Sequence, residues 1–547
     1  MCLLTRKARS LLVAYFIRAF RTIFTIVIVL GYAVQADSAP GDLDTTFGRC
    51  GKVVSEFPPP VSYASASAIG LQSDGKIVAA GNADDGFNPD FAVARYDVDG
   101  RLDPTFGING KTQTDFGAHS FDQALALVVQ PDNKIVLTGT TNAILPDEEC
   151  AMARYDANGN LDVTFGQGGV VIFGSRILSN ISANHCSALV LQPDGKLLIG
   201  GSVYNSFFDV GGFELARYNS DGTPDSTFGV DGFVITLFDD VYGQYSAGGI
   251  NALSILPDGK ILAAGGAGSF TGPPNFALAR YNSDGTLDSS FGSNGKVVTI
   301  LGGQWTFNVA NAIGLQVDGK AVVAGESNAS GSRDFVLARY NEDGTIDDAF
   351  GSDGVVVTHF GGQGSADVPL ALAIQGDQRI LVAGFTDSIF GANFALARYD
   401  ANGSFDSTFG QGGIVVTDFI AQMIDGATAL VQSNGKIAVA GFTNSGGSFT
   451  FALARYFSDF GTVSEEADNL ALQAGCLPAS ANFQRKLSGN ARSIPKAVKK
   501  GNMLGACKSA QKLIDQIVLL EEKKGLAKSI GDPLIYSVLK FGQFIGC

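Results

Sequence analysis

The tripeptide Ala-Arg-Tyr occurs seven times, at Arg95, Arg154, Arg217, Arg280, Arg339, Arg398 and Arg455, with steps of 59, 63, 63, 59, 59 and 57 residues. A Phe-Gly dipeptide follows the same rhythm, at Phe47, Phe106, Phe165, Phe228, Phe291, Phe350 and Phe409. A fixed period of this size marks an array of one structural unit. The clearest copy runs from Phe276 to Thr299.

Each unit reads as four short strands. In one copy these are the runs Ala312–Gln316, Ala321–Gly325, Phe335–Tyr340 and Ile346–Phe350, separated by Asp-Gly turns. Short apolar runs bounded by such turns are strand and hairpin signals. Both faces of the strands are apolar, which suits sheets packed between sheets. Seven four-stranded units in a row predict an all-β, seven-bladed β-propeller.

The turn sets a register. In Asn282-Ser283-Asp284-Gly285-Thr286 the glycine supplies the left-handed residue of a three-residue loop. Asn282 then faces Thr286, Tyr281 faces Leu287, and Arg280 faces Asp288. The offset recurs in Arg95/Asp103, Arg154/Asp162, Arg217/Asp225, Arg339/Asp347 and Arg398/Asp406. Arg455 breaks it, because Val463 stands eight residues later. The missing partner is expected at the other end of the chain. Gly41–Gly48 reads as a fourth strand that pairs with Phe451–Tyr456, sets Asp44 opposite Arg455, and closes the ring without free edges.

The segments Asp-Gly-Lys-Ile-x-x-Ala-Gly and Phe-Ala-Leu-Ala-Arg-Tyr-Asn-x-Asp-Gly-x-Leu-Asp-x-x-Phe-Gly resemble the Delta-60 repeat family of bacterial propeller-like proteins, over about residues 41–456. The resemblance implies a propeller fold and secretion. It implies no particular chemistry.

Residues 1–36 carry five basic side chains, an apolar run from Thr22 to Val34, and Val34-Gln35-Ala36 as a cleavage site. This predicts a signal peptide, with an uncleaved anchor as the alternative. Residues 37–463 form the propeller. Residues 464–547 lose the repeat; Leu513 to Leu520 and a segment opening at Pro533 suggest two helices of a small appendage. The chain carries a net charge of −15. The leader and the appendage are both basic, so the propeller is strongly acidic and a poor partner for nucleic acid.

Seven cysteines are present. In an oxidising compartment a disulfide is expected in the appendage, as Cys476 with Cys507 or Cys507 with Cys547. His119, His185 and His359 do not recur at one position of the unit and read as exposed loop residues. No nucleophile elbow, phosphate loop or metalloprotease helix is present. A quinone-dependent dehydrogenase is a poor match, since Trp305 is the only tryptophan. Asp97 and Asp99 are calcium candidates, but turn chemistry accounts for them without an ion. No other cofactor is expected.

The expectation is therefore a secreted, periplasmic or cell-surface scaffold, monomeric and non-enzymatic. It would bind a protein or glycan through loops such as Val203–Gly212 and Ser269–Pro274. The alternatives are a hydrolase or lyase with its site in the central channel, or a structural cell-envelope protein docked by its appendage.

Overall fold

The computed structural model describes residues 40–57, 63–84, 88–117, 120–144, 148–174, 183–205, 210–238, 247–268, 272–303, 305–360, 365–388, 391–419, 425–433, 435–445, 448–459, 491–500 and 502–524, with Leu487 and Val538. It forms seven four-stranded antiparallel sheets. Blades 1 to 6 span 64–114, 122–173, 183–236, 247–299, 308–358 and 366–417, each a meander of consecutive strands. Blade 7 takes three strands from 425–457 and its outermost from Lys52–Ser55. The first strands lie against one another around the whole ring, the seventh against the first. The ring is closed.

The core lies between blades. One cluster joins Val78, Ala80, Phe91 and Val93 of blade 1 to Ala124, Ile135 and Leu137 of blade 2, and the other clusters bridge neighbours likewise. This explains why the strands read apolar on both faces: each sheet has a sheet on either side.

The fourth strand is not where the sequence suggested. In blade 5 it is Val355–Thr358, paired with Phe335–Ala338. Ile346 makes only an isolated bridge to Tyr340. The Phe350 amide then donates to the Asp347 carbonyl, and the chain reverses through Gly351, Asp353 and Gly354, all at positive φ. The Asp-x-x-Phe-Gly segment is thus a buried corner, in which Phe350 drops into the core. The same correction applies to closure. The closing strand is Lys52–Ser55, while Leu43 only bridges Tyr456.

The appendage contributes α1 (Ser493–Lys499) and α2 (Met503–Lys524). Helix α1 was not anticipated, and α2 begins ten residues before the stretch singled out. All but Val538 of the second expected helix lies outside the described residues. Among the described residues no helix is long and apolar enough to cross a membrane.

Candidate functional site

The propeller has two faces. One carries the turns between first and second strands and between third and fourth strands. The other carries the hairpins between second and third strands and the connectors from blade to blade.

On the first face each Ala-Arg-Tyr arginine lies 2.7–3.0 Å from its aspartate, in the pairs Arg95–Asp103, Arg154–Asp162, Arg217–Asp225, Arg280–Asp288, Arg339–Asp347, Arg398–Asp406 and Arg455–Asp44. Asp44, brought from the chain's other end, also donates its amide to the Arg455 carbonyl. A second cation, from Lys76, Lys134, Lys196, Lys260, Lys320, Arg379 or Lys436, approaches the same carboxylate at 2.8–3.5 Å. Each guanidinium rests 4.4–4.7 Å over the Phe-Gly ring of its own unit. Its Nη1 reaches further, to a turn carbonyl of the next blade: Ala157, Ser220, Ser283, Glu342, Ala401, Ser458 and, closing the circle, Val98. The Phe-Gly amides do the same, as Gly292 does to Asp343. This is a seven-fold clasp between blades, and it employs the arginine, aspartate, phenylalanine and following glycine of the motif.

Burial pushes the clasp carboxyls up. Hydrogen bonds and cations outweigh it: for Asp288, the Ser290 hydroxyl, Lys260 and Arg280 hold the group below the ordinary carboxylate range. Asp44 is lowered in the same way by Thr46, Arg455 and Lys436. Asp97 and Asp99 belong to this face. The Asp97 carboxylate accepts from the Asp99 and Arg101 amides, and Asp99 pairs with Arg101 at 2.8 Å. The turn employs both.

On the hairpin face the groups differ from blade to blade. Between blades 1 and 2, Asp90, Asp115 and Asp122 bring carboxylate oxygens within 4.8 Å of one another, a set with the ligand type for a hard cation. Asp122 already accepts from the Phe116 amide, the Ser120 hydroxyl and the Thr141 hydroxyl, and burial raises it above the usual range. At the matching place between blades 5 and 6, His359 Nδ1 lies 2.5 Å from Asp334, beside Asp367, which burial also raises. His185 sits on a strand, 3.2 Å from Glu148. Both histidines are exposed and carboxylate-paired; His359 lies in a loop as expected, just past Val355–Thr358, whereas His185 is in a strand, and His119 lies outside the described residues. The hairpin expected as a loop at 203–212 is mostly extended strand, Leu197–Asn205 and Val210–Tyr218. Of the other loop, residues 269–271 lie outside the described residues.

Trp305 stands on the same face, in the connector from blade 4 to blade 5, and is 72 % exposed. Its loop is braced. The Thr306 hydroxyl donates to the Leu301 and Gly303 carbonyls, and the Phe307 amide donates to Asn328 Oδ1 at 2.7 Å. The Arg333 guanidinium covers the Phe307 ring at 5.1 Å and pairs with Glu326. Blade 2 uses the same brace, with Phe121 donating to Asn142 Oδ1 at 2.7 Å. The sequence reading used Trp305 only to argue against a quinone enzyme. Its lack of a counterpart at the matching place in other units was the available signal.

Covalent links were missed. Cys150 of blade 2 is bonded to Cys186 of blade 3. Cys50 and Cys507 each also form a disulfide, that of Cys50 likewise unanticipated, whereas Cys476 and Cys547 lie outside the described residues.

These features define the class as a closed, seven-bladed β-propeller. Its repeats match the family model described as "Domain of unknown function (DUF5122) beta-propeller", at residues 72–106, 130–165, 192–228, 256–291, 316–350, 375–409 and 432–459. Seven segments of the chain thus match a β-propeller repeat family under that description, and not under the Delta-60 name. No curated protein matches. Among solved structures, an ulvan lyase of polysaccharide lyase family PL25 is similar at 12 % identity and a TM-score of 0.41, covering 78 % of this chain and 96 % of that one. A Trypanosoma rangeli sialidase is similar at 12 % identity and a TM-score of 0.37, covering 64 % of this chain and 58 % of that one. The likeness is too remote to transfer a residue or a substrate. The expectation of a non-enzyme is corrected: the similar solved structures include a lyase and sialidases, and a fold does not by itself fix function, so the lack of a linear catalytic motif does not place a chain among non-enzymes.

Proposed function

We propose that the protein is a secreted, glycan-binding propeller that engages its ligand on the hairpin face around Trp305. The observation that carries this reading is the exposed indole on a braced connector. An indole held in water forgoes the stabilisation its burial would give. A sugar ring offers the complement: an apolar C–H face to stack on the indole and hydroxyls for polar neighbours. The hairpin that braces this connector through Asn328 also carries Arg333, 52 % exposed. The brace fixes the aromatic before binding, which lowers the ordering cost. The buried Cys150–Cys186 bridge and the N-terminal leader support an oxidising, extracytoplasmic location.

The test is binding of the full-length mature chain to a panel of neutral and acidic oligosaccharides. Trp305→Ala is expected to weaken binding at least tenfold, about 1.4 kcal/mol. Product analysis of the same mixtures reports whether a bound glycan is also cleaved. Binding to no member of the panel would refute the reading.

A further inference from the structure

Seven seams join the blades, and six follow one plan. The third strand of one blade presents a phenylalanine: Phe91, Phe213, Phe276, Phe335, Phe394 or Phe451. The next blade presents a residue at the bulge of its first strand: Ala124, Ile250, Ala310, Pro369, Ala427 or Ala66. The phenylalanine faces a small hydroxyl residue on its own fourth strand, such as Thr236 opposite Phe213. At five of the six that hydroxyl bonds the next blade's Ala-Arg-Tyr tyrosine, as Thr236 does Tyr281 at 2.8 Å.

The seam between blades 2 and 3 departs at all three positions. Cys150 replaces the phenylalanine, Cys186 occupies the bulge position, and Phe173 replaces the hydroxyl residue. Tyr218 packs at a tilt against Phe173, ring centroids 4.8 Å apart, instead of meeting a threonine. A groove of about 510 Å³ lies at the outer rim of this seam, between the fourth strand of blade 2 and the corner between third and fourth strands of blade 3, lined by Val171, Phe173, Tyr218, Pro224, Val230 and Phe233. Both sulfurs are buried.

We infer that the Cys150–Cys186 bridge is a redox latch: it holds covalently the one seam that lacks the consensus packing, and its reduction opens that seam on the hairpin face. Because both sulfurs are buried, a dithiol donor reaches the bridge during local opening of the seam; it supplies two electrons and two protons, is itself oxidised to a disulfide, and leaves two thiols. With the bond broken, nothing covalent ties the two strands, and this seam lacks the phenylalanine and the tyrosine–threonine hydrogen bond found at other seams. The opposite face stays clasped, because Arg154 still donates to the Ser220 carbonyl and Gly166 to the Asp221 carbonyl. The opening is therefore a hinge.

The experiment compares three full-length proteins by amide hydrogen exchange: the natural chain, Cys150→Ser/Cys186→Ser, and Cys150→Phe/Phe173→Thr/Cys186→Ala, which rebuilds the consensus seam without the bridge. The serine variant is expected to exchange at least tenfold faster over 149–155 and 183–191, with no change over 334–340 and 366–374. The consensus variant is expected to match the natural chain at both seams. A serine variant that cannot fold beside a consensus variant that does supports the latch equally. Unchanged exchange at the 2/3 seam, an increase spread evenly around the ring, or a consensus variant that fails to fold or exchanges like the serine variant would overturn it.

Discussion

On the clasp face the same arginine, aspartate, second cation and phenylalanine recur in all seven blades; on the hairpin face successive seams carry different sets. The clasp groups are consumed by architecture: each carboxylate meets two cations, and each guanidinium meets a carboxylate, an aromatic ring and the next blade. The hairpin face is free to vary because nothing in ring closure fixes its side chains, and there the chain displays Trp305, two paired histidines and a three-carboxylate cluster. Repetition marks what holds the fold together, and departure from it marks where to look for binding.

The sharpest way to break this contrast is to remove one clasp. Arg280→Ala leaves Asp288 buried with one cation fewer and strips the Glu342 carbonyl of its donor. Losing one member of a buried pair costs about 3–5 kcal/mol. Urea denaturation should show that loss, and an effect under 1 kcal/mol would remove the clasp from the account. A matching change on the hairpin face, Trp305→Ala, should stay within about 0.5 kcal/mol, as exposed sites usually do.

The faces also differ in the sign of their pH response. Clasp carboxyls such as Asp288 and Asp44 have folded-state pKa values below their unfolded ones. Their contribution is complete above the unfolded carboxylate value, near 4, and is lost as pH falls through the folded values. Stability should therefore drop steeply in acid. Asp122 and Asp367 are raised by burial, so each favours the folded state at low pH and loses that contribution as pH climbs through its folded value. Asp122→Asn should accordingly raise stability at pH 7 relative to pH 4. Blade 5 already places Asn308 at this position, bonded to Asn275. A variant whose stability relative to the natural chain falls between pH 4 and pH 7 would contradict that sign.

Much of the ring was legible in the sequence because its information is local. The hairpin from Arg280 to Asp288 is set by a turn within nine residues, and its bridges fall as the turn chemistry requires. The fourth strand was misplaced because Asp-x-x-Phe-Gly has strand-like spacing, yet its phenylalanine is a core plug and its glycine takes φ +55 in blade 5. The reach of each arginine to the next blade could not be read, since its acceptor is a backbone carbonyl with no side-chain signature. The Cys150–Cys186 link was readable in principle: Cys150 sits where Phe-Ala-Leu-Ala-Arg-Tyr has its phenylalanine. Trp305 was noticed without its meaning, because only the folded connector shows that it is held outward.

Trp305 is the chain's sole tryptophan, so its fluorescence reports on the proposed site alone. The most direct measurement is the emission of the intact protein during titration with the tightest oligosaccharide from the panel. Stacking of a sugar ring on the indole predicts a saturable change in intensity and wavelength, with a midpoint equal to the dissociation constant measured by calorimetry. Calorimetric binding with no change in Trp305 emission would place the ligand elsewhere and contradict the account.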